Sequence, residues 1–290
     1  MTPSKAETDS YEKLLTMDGR ILPTVAIQVL KSKQERDKER DNTKFHPSEL
    51  AKKDWCPRAS WYSFTSADKK DESFSFQRLN VFAEGHAIHA KWQKWLRDAG
   101  VLEGMWRCMV CGHKWWDVSP HRCTECASNL VSYAEVPLAS EEYMLVGHAD
   151  GIVSDRKGRT LIEIKSLGLG TIRWEAPDLY GEYISNNLSM DALWKKIRQP
   201  FASHVRQGML YMHFTGIHDL VFIYEWKPTQ DVKEFSIKYL PELVEPILDS
   251  CKRVIKALDG KIPPMRPAWA ESVSCSGCKF CPFKNTCWRE

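Results

Sequence analysis

Three CxxC pairs, "CMVC" at 108–111, "CTEC" at 123–126 and "CKFC" at 278–281, constrain this chain more than anything else in it. The first two are separated by residues 112–122, and Gly112 follows the second sulfur. Cys108, Cys111, Cys123 and Cys126 therefore have the spacing of a zinc ribbon, in which Zn²⁺ is held tetrahedrally by four thiolates. A segment as short as 105–128 cannot fold without its metal. His113 and His121 are spare ligands, and Lys114, Trp115, Trp116 and Arg122 give the ribbon a face for DNA or a partner protein. The bland alternative is a self-stabilised decoration.

At the C-terminus Cys278, Cys281 and Cys287 make three sulfurs of a set that usually numbers four. Cys275 offers a local fourth and Cys56, in "WCPRASWY", a distant one. Spacing does not name the metal, so zinc competes with iron here. Cys251 falls in a helical pattern and reads as a small buried hydrophobe.

Ten cysteines would suit a secreted disulfide scaffold, but the N-terminus is polar and has no signal-peptide core. No run approaches the roughly 18 apolar residues that span a bilayer. The expectation is a soluble, cytoplasmic protein with reduced thiols and no membrane partner. A hydrophobic content of 43% can bury a sizeable core, and a net charge of +3 is too small to indicate nucleic acid by itself.

Five regions are expected. Residues 1–45 read as a tail or loose helix, because "KSKQERDKERDNTK" alternates charge without an apolar stripe. Residues 46–104 read as helical, with Ser48 as a candidate cap, a break at Pro57 and the helix "FQRLNVFAEGHAIHAKWQKWLRDAG" stopped by Gly100. The ribbon insert takes 105–128. Residues 129–240 alternate between strand patterns ("LVSYAEVPL", "EYMLVGHADGIVSD", "RTLIEIKS", "LVFIYEW", "VKEFSIKYL") and the helix "ASHVRQGMLYMHFTG". Residues 241–290 hold a helix interrupted or kinked at Pro246 and the last cysteines.

The chemistry-bearing residues fall in the strand region and the helix before it. On a strand, Glu163 and Lys165 point to one face while Ile162 and Ile164 point to the other, which puts a charged pair at the edge of a core. Burying that pair requires further partners. Asp150, before Gly151, can bring a second carboxylate, and two carboxylates suit Mg²⁺ or Mn²⁺. Gly85 and His89, like Gln207 and Tyr211, are one helical turn apart. Lys195, Lys196, Arg198 and Arg206 form a basic stretch without acids that could follow a phosphate backbone or be a solvated face.

In the order Gly85-x3-His89, Asp150, Glu163-x-Lys165, Gln207-x3-Tyr211, the chain resembles the RecB-like branch of the PD-(D/E)xK nucleases over about residues 46–290, the ribbon excepted. The cysteine frame Cys56 … Cys278-x2-Cys281-x5-Cys287 is similar to that of its iron–sulfur subgroup, which includes the AddB nuclease domain and CRISPR-associated RecB-like nucleases. The resemblance implies an α/β, restriction-endonuclease-like core: a mixed central sheet flanked by helices, with helical N- and C-terminal parts joined by a [4Fe–4S] cluster. It implies metal ligation by His89, Asp150 and Glu163, catalysis involving Lys165, and DNA contact by Gln207 and Tyr211. Glu135 matches a further acidic position on an early core strand. The implied activity is metal-dependent exonucleolytic hydrolysis of DNA ends, single-stranded by preference, in recombination, repair or DNA capture, with a recombination or helicase protein as partner. A catalytically idle DNA-binding scaffold on the same fold is the alternative. A zinc-ribbon transcription factor would account for the insert alone.

Overall fold

The computed structural model describes residues 21–39, 41–65 and 75–289. The chain divides into two units, Met1–Asp41 with Asp71–Glu84, and Asn42–Lys70 with Gly85–Glu290. In the first, α1 (Leu22–Glu39) leaves Leu22, Val25 and Ile27 exposed. The rest of the tail expected over 1–45 lies partly outside the described residues.

The second unit is built on a mixed sheet flanked by helices, as the fold class requires. Its strands are β1 (Leu102–Cys108), β2 (Lys114–Val118), β3 (Val131–Tyr133), β6 (Gly151–Asp155), β7 (Gly158–Leu167), β8 (Asp219–Trp226) and β9 (Asp231–Lys238). Their order is β2-β1-β6-β7-β8-β9, with β3 also on β1. Every pairing is antiparallel except β7 with β8. A parallel pair needs a long crossover. Here the chain passes through α5 (Leu169–Glu175), α6 (Pro177–Ser185), α7 (Met190–Lys196) and α8 (Ala202–Thr215).

Alternation along β7 feeds two cores. Leu161 and Leu167 join Leu210 of α8 and Phe222 of β8 on one face; Ile162 and Ile164 join Ile88, Leu102 and Trp106 on the other. Ile88 belongs to α4 (Phe76–Asp98), so β7 is covered on both sides, and Glu163 and Lys165 are set among its apolar residues. Close approach of α8 depends on Gly208, where a Cβ would come 3.0 Å from a Leu220 methyl and 3.1 Å from the Phe222 ring. Gly216 ends α8 in the left-handed conformation at φ 69°.

Some expected elements are broken for reasons that matter to the site. "EYMLVGHADGIVSD" is two strands, because β5 (Leu145–Ala149) pairs with β4 (Val136–Ser140) in a separate two-stranded sheet while β6 joins the large one. Asp150 is the joint between them. "LVSYAEVPL" breaks likewise, at Glu135, whose φ is +60°. Ser48 is not a cap: Pro47 takes the first position of α2 (Pro47–Leu50), where its fixed φ suits helix entry. Pro246 does not kink its helix but sits in the first turn of α9 (Glu245–Gly260), where a missing N–H costs nothing. Cys56 directly precedes α3 (Pro57–Thr65); Cys278 lies in the short helix α10 (Ser276–Lys279), Cys287 ends α11 (Lys284–Cys287), and Cys281 lies between them. Among the described residues no helix is long and apolar enough to cross a membrane.

Candidate active site and cysteine centres

Glu163, 2% exposed, lies on the face of β7 that α8 covers. Its Oε1 is 2.7 Å from Lys165 Nζ, two residues along the same face. Its Oε2 is buried and has no hydrogen-bond partner among the described residues. Burial, and after it the negative charge of Asp150, push the Glu163 carboxyl up to about 7.

Asp150 reaches the same place from the joint between β5 and β6. Gly151 lets the chain pass close there, since a Cβ would lie 2.8 Å from Leu102 Cδ1. Asp150 Oδ2 accepts the backbone N–H of Ile164 at 2.6 Å, which ties the joint to β7. Its Oδ1 is 3.1 Å from His89 Nδ1 on α4. Burial disfavours the His89 imidazolium, but the bond to Asp150 and its charge outweigh that and raise the pKa. Gly85, a turn earlier, is not strictly demanded: a Cβ there would meet Ser166 Oγ at 3.4 Å, an ordinary contact.

Sequence reasoning missed Gln93. Its Nε2 donates to the Asp150 carbonyl at 3.1 Å and, more distantly, to Glu135 Oε1 at 3.4 Å. It follows His89 by one turn, so helical periodicity alone could have found it. Burial, then the Asp150 charge, raise the Glu135 carboxyl, which places it beside the other acids. The helix is seated by the fully buried Glu225, whose two oxygens accept from Lys91 Nζ at 2.5 Å and Trp92 Nε1 at 2.7 Å.

On the opposite side Lys165 Nζ donates to Gln207 Oε1 at 2.9 Å, and Gln207 Nε2 donates to the Tyr211 hydroxyl at 2.6 Å. Gln207 and Tyr211 are 8% and 5% exposed, so they bear on the site through Lys165. His89, Asp150, Glu163, Lys165, Gln207 and Tyr211 are thus brought together. Lys195 and Lys196 end α7 and Arg198 follows it; Lys196 pairs with Glu182 at 2.5 Å. Arg206 donates to the Ala51 carbonyl at 2.7 Å.

The insert folds into the end of β1, β2 and the turns on either side of β2, with Cys108 and Cys111 before β2 and Cys123 and Cys126 after it. The ligand atoms of Cys108, Cys111, Cys123 and Cys126 all lie within 4.8 Å of one another, so the four could bind a metal ion. Cys108 and Cys126 sulfurs are 3.5 Å apart and those of Cys111 and Cys123 3.7 Å. Trp116 Nε1 donates to Glu103 Oε1 at 2.8 Å, and Arg159 grips both Glu103 oxygens at 2.7 and 3.0 Å, fastening β2 to the core.

Cys56, Cys278, Cys281 and Cys287 line one cavity of about 460 Å³ with Tyr62, Trp269 and Phe283 among its walls. Cys275 is not in that lining; its carbonyl accepts the backbone N–H of Cys278 at 3.0 Å. Among the described residues these sulfurs do not form a set as tight as the ribbon quartet. Cys251 is fully buried in the large core.

Glu163 Oε2 makes the acidic cluster fit a cation: a buried carboxylate oxygen without a donor is the kind of atom a metal satisfies. The chain matches no protein-family model and no curated protein. Among solved structures it is similar to the crystal structure of SSO0001, at 15% identity over 91% of this chain and 96% of that one, with a TM-score of 0.44. It is also similar to an alkaline exonuclease, LHK-Exo, from Laribacter hongkongensis, at 14% identity over 76% of this chain and 90% of that one, TM-score 0.38. The same enzyme in complex with dAMP aligns at 12% identity and a TM-score of 0.36.

Proposed function

We propose that this chain is a divalent-metal-dependent nuclease that hydrolyses phosphodiester bonds at DNA ends, with His89, Asp150 and Glu163 as the metal ligands. One observation carries the reading: Glu163 Oε2 is buried and unpartnered beside Asp150 and the Lys165 ammonium. Leaving that oxygen bare costs stability, and a cation offsets it. Carboxylate oxygens suit Mg²⁺ or Mn²⁺. Such an ion would activate water and offset charge at phosphorus.

The remaining work falls to the chain. Lys165 Nζ, held between Glu163 Oε1 and Gln207 Oε1, is a fixed cation for the charge that develops on the phosphate oxygens. Tyr211 keeps the Gln207 amide turned so that its oxygen faces Lys165. Gln93 and the Ile164 N–H hold Asp150 from two sides. Lys195, Lys196 and Arg198 would follow the phosphate backbone; the exposed Lys196–Glu182 pair is weak enough to give way. By resemblance the substrate is a single-stranded end, met in recombination, repair or DNA capture beside a recombination or helicase protein.

The ribbon quartet would hold Zn²⁺. Tetrahedral Zn–S bonds of about 2.3 Å put sulfurs about 3.8 Å apart, close to the 3.5 and 3.7 Å here. Cys56, Cys278, Cys281 and Cys287 would hold a structural [4Fe–4S] cluster. In a cubane each thiolate binds a different iron, so its sulfurs stand farther apart than on one ion. The cluster would staple the start of α3 to the C-terminal turns.

The test is release of nucleotides from end-labelled single- and double-stranded DNA with Mg²⁺ or Mn²⁺. Asp150→Ala should abolish it, and Lys165→Ala should lower it by roughly 10²–10⁴-fold. Cleavage at the wild-type rate in both variants removes this site, and DNA binding without any cleavage favours the idle scaffold.

A further inference from the structure

Tyr224 stands opposite Lys165 in the parallel register of β7 and β8, and it is fully buried. Its hydroxyl accepts the backbone N–H of Phe201 at 2.9 Å and meets His204 Nδ1 at 2.5 Å. A phenol has one proton. Were His204 Nδ1 protonated, that phenol proton would point into the core without an acceptor, at the cost of a buried unsatisfied donor. Tyr224 therefore donates to Nδ1, and the imidazole proton sits on Nε2.

The ring is also fixed in place. It stands edge-on to Phe201 at 5.5 Å and to Tyr224 at 5.4 Å. Among the described residues Nε2 has no hydrogen-bond partner. His204 is one turn before Gln207 and two before Tyr211, so all three share the face of α8 that meets Lys165. Burial, and then the Lys165 charge, hold the imidazole neutral.

We propose that His204 is a further substrate contact of the site, a neutral imidazole whose Nε2–H donates to a phosphate oxygen of the bound strand beside Lys165. Tyr224 and the Phe201 N–H are the positioning groups that set its tautomer. The proposal rests on the nuclease reading above, because that reading is what brings a phosphate to Lys165 on this face of α8. A neutral donor adds a hydrogen bond there without setting a second cation against the ammonium.

Two measurements decide it. Nitrogen NMR of histidine-labelled protein at neutral pH should give His204 the Nε2–H signature; an Nδ1–H signature overturns the proposal. Fluorescence anisotropy of a labelled oligothymidylate, with Ca²⁺ replacing Mg²⁺ to prevent cutting, should show His204→Ala binding about tenfold more weakly. His204→Gln, whose amide N–H reaches towards the Nε2 position, should recover most of the loss, and His204→Asn should not. Mn²⁺ affinity should stay at the wild-type value in all three, which a merely structural loss would not allow. Wild-type DNA affinity in His204→Ala overturns the proposal even if the enzyme cuts DNA. Conversely, failure of the wild type to cleave DNA removes the nuclease reading and leaves the tautomer and binding results standing.

Discussion

Glu163 and Lys165 are ion-paired at 2.7 Å on one face of β7, and the second oxygen of Glu163 is left over in the core. Burial and Asp150 hold this carboxyl at about 7. The sign follows from linkage. A carboxyl whose pKa is raised by folding keeps its proton better in the folded chain than in the unfolded one. Its contribution is therefore complete below the ordinary carboxylate range and is lost as the pH rises to about 7. In EDTA, the urea midpoint of the wild type should fall between about pH 5 and pH 8, while that of Glu163→Gln changes less. Mn²⁺ at the upper pH should restore the wild type and leave the variant unmoved. A variant with the wild-type pH slope would show that another group causes it.

Lys165 has two acceptors, Glu163 Oε1 and Gln207 Oε1. Lys165→Ala should lower cleavage by roughly 10²–10⁴-fold, the range for removing one charge-stabilising group, with Mn²⁺ affinity retained. Gln207→Leu leaves the ammonium on Glu163 alone and should cost about tenfold, as loss of one charged hydrogen bond does. Asp150→Ala should lose metal affinity and cleavage together. Should Lys165→Ala lose Mn²⁺ as completely as Asp150→Ala, the lysine is holding the acids apart and not acting on the phosphate.

Much of this arrangement is legible in the chain because the signals are local. Alternation in "LIEIKS" gives the two faces of β7, and a one-turn spacing pairs Gln207 with Tyr211. What local periodicity cannot carry is a change of sheet. The strand pattern through "LVGHADGIVSD" is unbroken, yet β5 and β6 pair with different partners, and that switch frees the Asp150 side chain to face Ile164 and His89. The seat of α4 on Glu225 was illegible for a similar reason. "LVFIYEW" gives no sign that its glutamate meets a lysine and a tryptophan from a helix 134 and 133 residues away.

The ribbon shares β1 with the core, so its metal should not be a local matter. Trp106 of β1 is fully buried and its Nε1 donates to the Asp117 carbonyl of β2 at 3.1 Å, while Trp116 is fastened to Glu103. Zinc analysis should find about one ion per chain at this site, absent in Cys111→Ser. Loss of that ion should lower Tm by at least about 5 °C, roughly what 3 kcal/mol does in a chain of this size. It should also change the near-ultraviolet signal of the tryptophans. An unchanged Tm in the zinc-free variant would make the ribbon an independent appendage.

The two candidates for the fourth C-terminal sulfur differ in what surrounds them. Cys56 lines the cavity with Cys278, Cys281 and Cys287, and burial raises its thiol pKa, so a thiolate there needs a compensating cation. Cys275 lies outside that lining. Protein contacts also join the elements around the cavity: Trp61 Nε1 of α3 donates to the Ala257 carbonyl of α9, and Trp269 packs so tightly on α10 that a Cβ at Gly277 would lie 2.5 Å from it. Protein purified without oxygen should be brown, with about four iron and four sulfide per chain. Cys56→Ala should lose colour, iron and sulfide together and unfold at lower urea, since a cluster that joins α3 to the C-terminal turns stabilises both. Cys275→Ala should keep all three. Bleaching by Cys275→Ala with colour retained in Cys56→Ala would move the fourth ligand next door, and zinc without sulfide in the wild type would replace the cluster by a single ion.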